Sequence, residues 1–306
     1  MLTKAEMGLS GNLAPVVLFC YNRPWHLRQT IESLQLNSHA SQSELIIYSD
    51  GPKLPSDEPF IADIRNYIAD IKGFKTVKVI AAERNNGLAK SVIKGVSDVL
   101  EKYEKIIVLE DDMLSTPDFL TFMNEALHIY QERKDVFSVT AYSPPIEVPA
   151  AYRHDLYLAP RASSWGWGTW KSRWQHADWE VNDFDSLKND PDKKQAFSQG
   201  GEDLWPMLAK QQLGMIDSWA IRWTYSQFKN KAYGVYPVKS KIKNIGTDGS
   251  GTNFTFKTGY YGKEMNPDKV SFDPLLKPDP EMITAFRRYY HLPFYLKIKN
   301  RIKYGI

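Results

Sequence analysis

Three adjacent acids, Glu110, Asp111 and Asp112, follow the apolar run Ile106-Ile107-Val108-Leu109. Like charges this close repel, and neighbouring side chains on a strand point to opposite faces, so one ligand is shared by at most two of them unless the chain turns. A divalent cation removes the repulsion. Mg2+ or Mn2+ is typically held by one or two carboxylates, with phosphate oxygens and water completing the shell. The plainer reading is a solvated turn with a helix-capping acid. The triple does not stand alone, however. Tyr21-Asn22-Arg23-Pro24, Asp50-Gly51 and Glu83-Arg84-Asn85-Asn86-Gly87 each follow an apolar run of their own. Arg84 and the backbone amides near Gly87, at a helix start, suit a phosphate, or equally a plain turn and cap.

The elements that position these groups alternate in type. Apolar runs at Val16–Cys20, Glu44–Ser49, Val77–Ala81, Ile106–Leu109 and Val136–Ala141 read as strands. Helical periodicity separates them: Leu27, Ile31 and Leu34 after Pro24; Ile61, Ile64, Ile68 and Ile71; Val92, Val96 and Leu100 after Gly87; Phe119, Phe122, Ala126 and Ile129 after a capping signal at Ser115–Asp118. Such alternation predicts an α/β layer with a mainly parallel central sheet flanked by helices. Ligands of open α/β sheets bind beyond the carboxyl ends of the strands. The four polar segments therefore converge on one edge. Past about residue 145 the runs shorten and Trp, Gly and Asp cluster, most densely in Arg161–Trp174, with helices expected around 205–212 and 218–230. No repeat or linker divides the halves, so the second is expected to be welded to the first.

Several chemistries are excluded. No phosphate-cradling Gly-x-x-x-x-Gly-Lys-Ser/Thr and no Gly-x-Gly-x-x-Gly follows the first strand, and no Gly-x-Ser-x-Gly elbow occurs. The single cysteine, Cys20, excludes an internal disulfide and a cysteine-based zinc site. With 39 Lys+Arg against 36 Asp+Glu, the net charge of +3 gives no support to a nucleic-acid binder.

Taken in order, the Asn22-Arg23-Pro24, Asp50-Gly51, Arg84-Asn85-Asn86-Gly87-Leu88-Ala89 and Leu109–Asp112 segments resemble nucleotide-sugar-dependent glycosyltransferases of the GT-A (Rossmann-like) fold. Thr116-Pro117-Asp118-Phe119 sharpens the resemblance toward the N-acetylglucosaminyltransferase I group and its bacterial relatives. Trp165–Trp170, Asp217–Trp223 and Asn244–Gly251 extend it, over roughly residues 15–255. The resemblance implies a transferase domain over 13–255, with a nucleotide-sugar half (13–145) and an acceptor and catalytic half (146–255), and a C-terminal extension over 256–306. It implies that Asn22, Arg23, Asp50, Arg84, Asn85, Gly87 and Lys90 bind the donor nucleotide, with Asp50 at its base. Asp112 would be the main ligand of Mn2+ or Mg2+, and Asp111 and Glu110 would lie near the donor sugar. Gly249 and Ser250 would sit in a loop over the diphosphate. Asn253 stands where many such enzymes carry a metal-binding histidine. Asp217 matches the family's catalytic aspartate, and inversion at the anomeric carbon is implied; Glu202 or Asp203 is the alternative base. Trp165 and Trp167 suit an acceptor site, since aromatic faces stack on sugar C–H groups, and suit a packed core equally.

The expected activity is transfer of a hexosyl or N-acetylhexosaminyl group, UDP-linked by preference, to a glycan or lipid-linked acceptor in surface polysaccharide assembly. The alternatives are a sugar nucleotidyltransferase and a non-catalytic glycan-binding protein. Met1–Asn12 has no basic segment followed by an apolar run, and no stretch approaches a bilayer-spanning length. A cytoplasmic protein is expected, at the inner face of the membrane if the tail binds there. From Arg287 onward the chain carries Arg287, Arg288, Lys297, Lys299, Arg301 and Lys303 and no acid, interleaved with Phe294, Tyr295, Leu296, Ile298 and Ile302. Such a tail suits an anionic membrane surface. It suits equally a solvated helix with one side packed on the body.

Overall fold

A computed structural model describes residues 13–249 and 264–304. Its centre is β1 (Val16–Cys20), buried at every position. Strand alternation sends Val16, Leu18 and Cys20 to one face of the sheet and Val17 and Phe19 to the other. The first set packs on Leu27, Ile31 and Leu34 of α1 (Pro24–Gln35), the second on Val92 and Val96 of α3 (Leu88–Leu100). Burial on both faces is why the run is continuously apolar. β2 (Glu44–Ser49), β3 (Thr76–Ala81) and β4 (Lys105–Glu110) extend the sheet in parallel, with α2 (Glu58–Ala69) crossing between β2 and β3. These are the elements expected from periodicity, with ends shifted by a residue or two.

The second half completes the same sheet. β6 (Val136–Thr140), β7 (Leu156–Ala159), β8 (Trp167–Trp170) and β9 (Tyr233–Pro237) give the order β3-β2-β1-β4-β8-β6-β9-β7. β8 runs antiparallel between β4 and β6, β9 is parallel to β6, and β7 closes antiparallel to β9. The sheet is therefore mixed and mainly parallel. α4 (Phe119–Ile129) lies on the α1 face and precedes β6 in the chain. The short helices α5 (Lys171–Trp174), α6 (Phe184–Lys188) and α7 (Pro191–Phe197) lead to α8 (Leu204–Gln212) and α9 (Trp219–Lys229). Trp219 and Trp223 of α9 join Trp174 and Trp167 on the α3 face. A separate ribbon pairs β5 (Met113–Ser115) with β10 (Ile242–Asn244), antiparallel. α10 (Pro280–Tyr289) is capped by Asp279, which accepts from the Met282 N–H at 2.9 Å, and buries Met282 and Phe286 against Tyr157 and Tyr236. α11 (Phe294–Tyr304) follows. Among the described residues no helix is long and apolar enough to cross a membrane.

Candidate active site

The chain turns at the end of β4, and that turn lets two of the three acids meet. Glu110 closes the strand, Asp111 and Asp112 form the turn, and Met113 opens β5. Helix α1 fastens it from outside. Thr30 Oγ1 donates to the Asp111 carbonyl at 2.8 Å and accepts from the Met113 N–H at 3.0 Å. Arg23, just before α1, donates from Nη2 to Asp111 Oδ1 and, at 2.7 Å, to Asp112 Oδ2. Both carboxylates are buried, Asp111 at 3% and Asp112 at 5% exposure.

One guanidinium faces three acids. Burial, then the charges of Asp112 and Asp111, push the Glu110 carboxyl up from an ordinary 4.5 to about 8. Burial also raises Asp111, to about 6, against the opposing pull of Arg23. Burial disfavours the Arg23 charge, but Asp111 and Asp112 outweigh that and raise its pKa. The pocket thus keeps excess negative charge and hard oxygen donors. That donor set fits Mg2+ or Mn2+ held by two carboxylates plus ligand phosphate oxygens. Among the described residues no group of three or more His, Cys, Asp or Glu is arranged to hold a metal unaided.

The segment after β10 lies over this pair. Ile245 N–H donates to the Asp112 carbonyl at 2.9 Å, and Asn244 Nδ2 reaches Asp112 Oδ1 at 3.4 Å. A Cβ at Gly246 would fall 2.0 Å from Asp112 Oδ2, so only glycine lets the backbone come this close. Asp248 Oδ2 lies 3.1 Å from His26 Nε2 on the first turn of α1. Asp248 falls inside the Asn244–Gly251 motif without a role assigned to it, and His26 stands outside the motifs, its one signal being that it follows Arg23 by three residues. Of the expected loop, Gly249 is described, with φ +96°, whereas Ser250 and Asn253 lie outside the described residues.

Asp50 builds the neighbouring wall. Its carboxylate accepts from the backbone N–H of Gly51 and Asn86 at 2.9 Å and of Gly87 at 3.1 Å, and from Asn85 Nδ2 at 3.0 Å. Gly51 admits the Arg84 backbone, which a Cβ would meet at 2.5 Å. Asp50 and Asn85 thus shape the loop after β3, with Gly87 at the start of α3 and Arg84 and Lys90 exposed beside it. Asn22 Nδ2 and Tyr21 Oη both donate to Asp57, at 2.9 and 2.6 Å.

The acceptor-side residues separate. Trp167 is 1% exposed, with its ring 4.9 Å from Trp219 and 5.8 Å from Trp174. Its expected place against a sugar is therefore corrected: as a β8 residue paired with Val108 of β4, it faces the helix layer and is core. Trp165 is half-buried, edge-on to Tyr142 at 4.5 Å. Asp217 precedes Ser218, whose hydroxyl caps α9 by accepting from the Ile221 N–H. Asp217 itself is exposed and pairs with Arg222 at 2.9 Å. Through Trp219 on Trp167, this end of α9 sits at the carboxyl side of β4.

Glu202 and Asp203 are not brought to that edge. β7 runs opposite to β4, so Arg161 beyond its end lies on the amino side of the sheet, four strand positions from β4. Arg161 grips Asp203 with two nitrogens at 2.7 and 2.8 Å. Glu202 is held by Lys297 and His291, both at 2.8 Å, and by the Leu292 N–H at 3.1 Å. Glu202 ties the C-terminal segment to the body directly, and Asp203 does so through Arg161, whose guanidinium lies 3.9 Å from the Tyr290 ring centre.

The family model of Glycosyl transferase family 2 matches residues 16–195, from β1 into α7. Among solved structures, GalNAc-T7 with UDP, GalNAc and Mn2+ is similar at a TM-score of 0.50 and 11% identity, over 76% of this chain and 44% of that one. TarS of S. aureus is similar at a TM-score of 0.42 and 13% identity, over 77% of this chain and 37% of that one. TarS 1–349 in complex with UDP gives 0.40 and 13%, over 75% and 59%. The chain thus spans less than two thirds of each, and at 11% identity the likeness to GalNAc-T7 is one of fold, the GT-A-like α/β sheet. No curated protein matches the sequence.

Proposed function

The chain belongs to glycosyl transferase family 2, and from that premise we propose that it transfers a sugar from a nucleotide-diphosphate donor, UDP-linked by preference, to a hydroxyl of a glycan or lipid-linked acceptor. The observation that carries the reading is the meeting of Arg23, Asp111 and Asp112 at the carboxyl edge of β1 and β4, beside the loop organised by Asp50. Arg23 would meet the nucleotide beside the loop that Asp50 holds through Asn85, Asn86 and Gly87, with Arg84 and Lys90 at its rim. Asp112, with Asp111, would hold Mn2+ or Mg2+, which supplies Lewis-acid charge to the leaving diphosphate.

Asp217 takes the acceptor proton as the oxygen attacks the anomeric carbon and the bond to the diphosphate breaks, with inversion. A positioned carboxylate contributes about 10²–10⁴-fold. Arg222 pairs with this carboxylate at 2.9 Å. Trp165 lines the acceptor side. The finer resemblance to the N-acetylglucosaminyltransferase I group, the division at about residue 145, the role in surface polysaccharide assembly and the cytoplasmic setting belong to the same proposal.

The test is calorimetric titration of UDP, GDP and CMP, with and without Mn2+, on wild type and Asp112→Ala. One nucleotide should bind in a metal-dependent manner, and the variant should lose it. Release of nucleoside diphosphate identifies a transferase. Release of pyrophosphate identifies a nucleotidyltransferase, and glycan binding with neither product identifies a lectin; either would overturn the reading. Asp217→Asn should lower kcat by about 10²–10⁴-fold with donor affinity kept.

A further inference from the structure

Helix α11 has two unlike sides. At 3.6 residues per turn, Phe294, Tyr295, Ile298 and Ile302 fall within an arc of about 100°. They are 75%, 67%, 43% and 81% exposed. Across the helix, Leu296 and Tyr304 are half-buried and Asn300 is buried. The basic residues fall on the two borders of the apolar arc, Lys297 and Arg301 on one side, Lys299 and Lys303 on the other. No acid occurs after Glu281.

The body fixes this orientation. Lys297 pairs with Glu202 just before α8, and Lys210 of the last turn of α8 lies 5.2 Å from the Tyr304 ring. Helix α11 therefore lies along α8 in the same direction. Leu213 and Met215, just past α8, are 56% and 44% exposed. Both follow in the chain just after Lys210, the α8 residue beside Tyr304. Gln211 Oε1 then accepts from the Ser218 N–H at 2.6 Å, next to Asp217. Leu213 and Met215 thus lie in the chain between the end of α8, beside Tyr304, and the turn that carries the candidate base.

We infer that the outward face of α11, with Leu213 and Met215 past the end of α8, docks on an anionic lipid surface. Apolar side chains enter the headgroup boundary, and the cationic borders meet lipid phosphates. The charge pattern selects this occupant over a second copy of the chain: a symmetric dimer across this face would set Lys299, Arg301 and Lys303 against their own kind, with no acid on the strip to meet them. An 11-residue helix is too short to span. Docked this way, the molecule brings the Asp217 turn toward a lipid-linked acceptor.

The experiment is flotation of the full chain with phosphatidylcholine vesicles, with and without phosphatidylglycerol, and no nucleotide sugar present. The result is thus independent of the glycosyl-transfer reading. Wild type should bind only the anionic vesicles and leave them in high salt. A variant with Lys299, Arg301 and Lys303 changed to Gln should lose about fivefold in partitioning per residue. A variant with Ile298→Ser and Ile302→Ser should fail to bind even at low salt, its melting curve unchanged because both positions face solvent. No binding by wild type, or binding that both variants retain, overturns the proposal. So does a dimer in light scattering that Ile298→Ser and Ile302→Ser convert to monomer.

Discussion

Arg23 is the residue on which the acidic edge depends. Among the described residues it is the one cation hydrogen-bonded to both Asp111 and Asp112. Removing one partner of a buried ion pair leaves an uncompensated charge, which costs about 3–5 kcal/mol. Arg23→Met should lower stability by that amount in a urea titration, and Mn2+ should restore part of it. The raised carboxyls make a second prediction. Glu110 and Asp111 hold protons more tightly in the folded protein than in the unfolded chain. The native state is therefore the more protonated one between about pH 4 and 8, and stability falls as pH rises through that window. Melting temperatures from pH 5 to above 8 should decline. Glu110→Gln should flatten the decline, and so should Mn2+, which favours the charged carboxylates. These acids were legible in the sequence because they follow an apolar run. Their sharing of Arg23 was not, since it depends on the turn after Glu110 and on α1 fastening that turn through Thr30.

At the scale of elements, β1 to β4 and β6 could be read from the sequence because each is a mainly apolar run between helical periods. β7, β8 and β9 could not. Leu156–Ala159 is four residues long, Trp167–Trp170 reads Trp-Gly-Thr-Trp, and Tyr233–Pro237 ends in proline. Such runs gain their strand character from neighbours in the sheet, which local pattern does not reveal. The same blindness left Trp167 open between a sugar site and the core. Gly166 and Gly168 look like loop residues, yet Trp167 points into the aromatic stack with Trp219 and Trp174. Trp167→Ala should therefore destabilise by about 3–5 kcal/mol, read by chemical denaturation. A stacking role would instead raise the acceptor KM at unchanged stability.

The whole molecule is wider than the family match. Residues 16–195 include β7 and β8 but not β9, the strand that joins β7 to β6. They also omit β10, which pairs with β5 beside the acid turn. A fragment ending at residue 195 should thus fail to fold cooperatively, with no sharp melting transition and no metal-dependent nucleotide binding. The Glu202 and Asp203 contacts act at this scale too, fastening α10 and α11 to a body that the family match alone does not contain.

The pairing of β5 with β10 also sets an order in time. Asn244 meets Asp112 across 132 residues of chain. Distant pairings form late, because loop closure must precede the contacts that reward it. On the ribosome, Asp112 emerges long before the strand that covers it. A nascent chain therefore holds its acids with Arg23 and Thr30 alone until β10 is made, and a product truncated before β10 lacks the segment that covers Asp112. Synthesis from the amino end makes the emergence of β10 a condition for completing this edge.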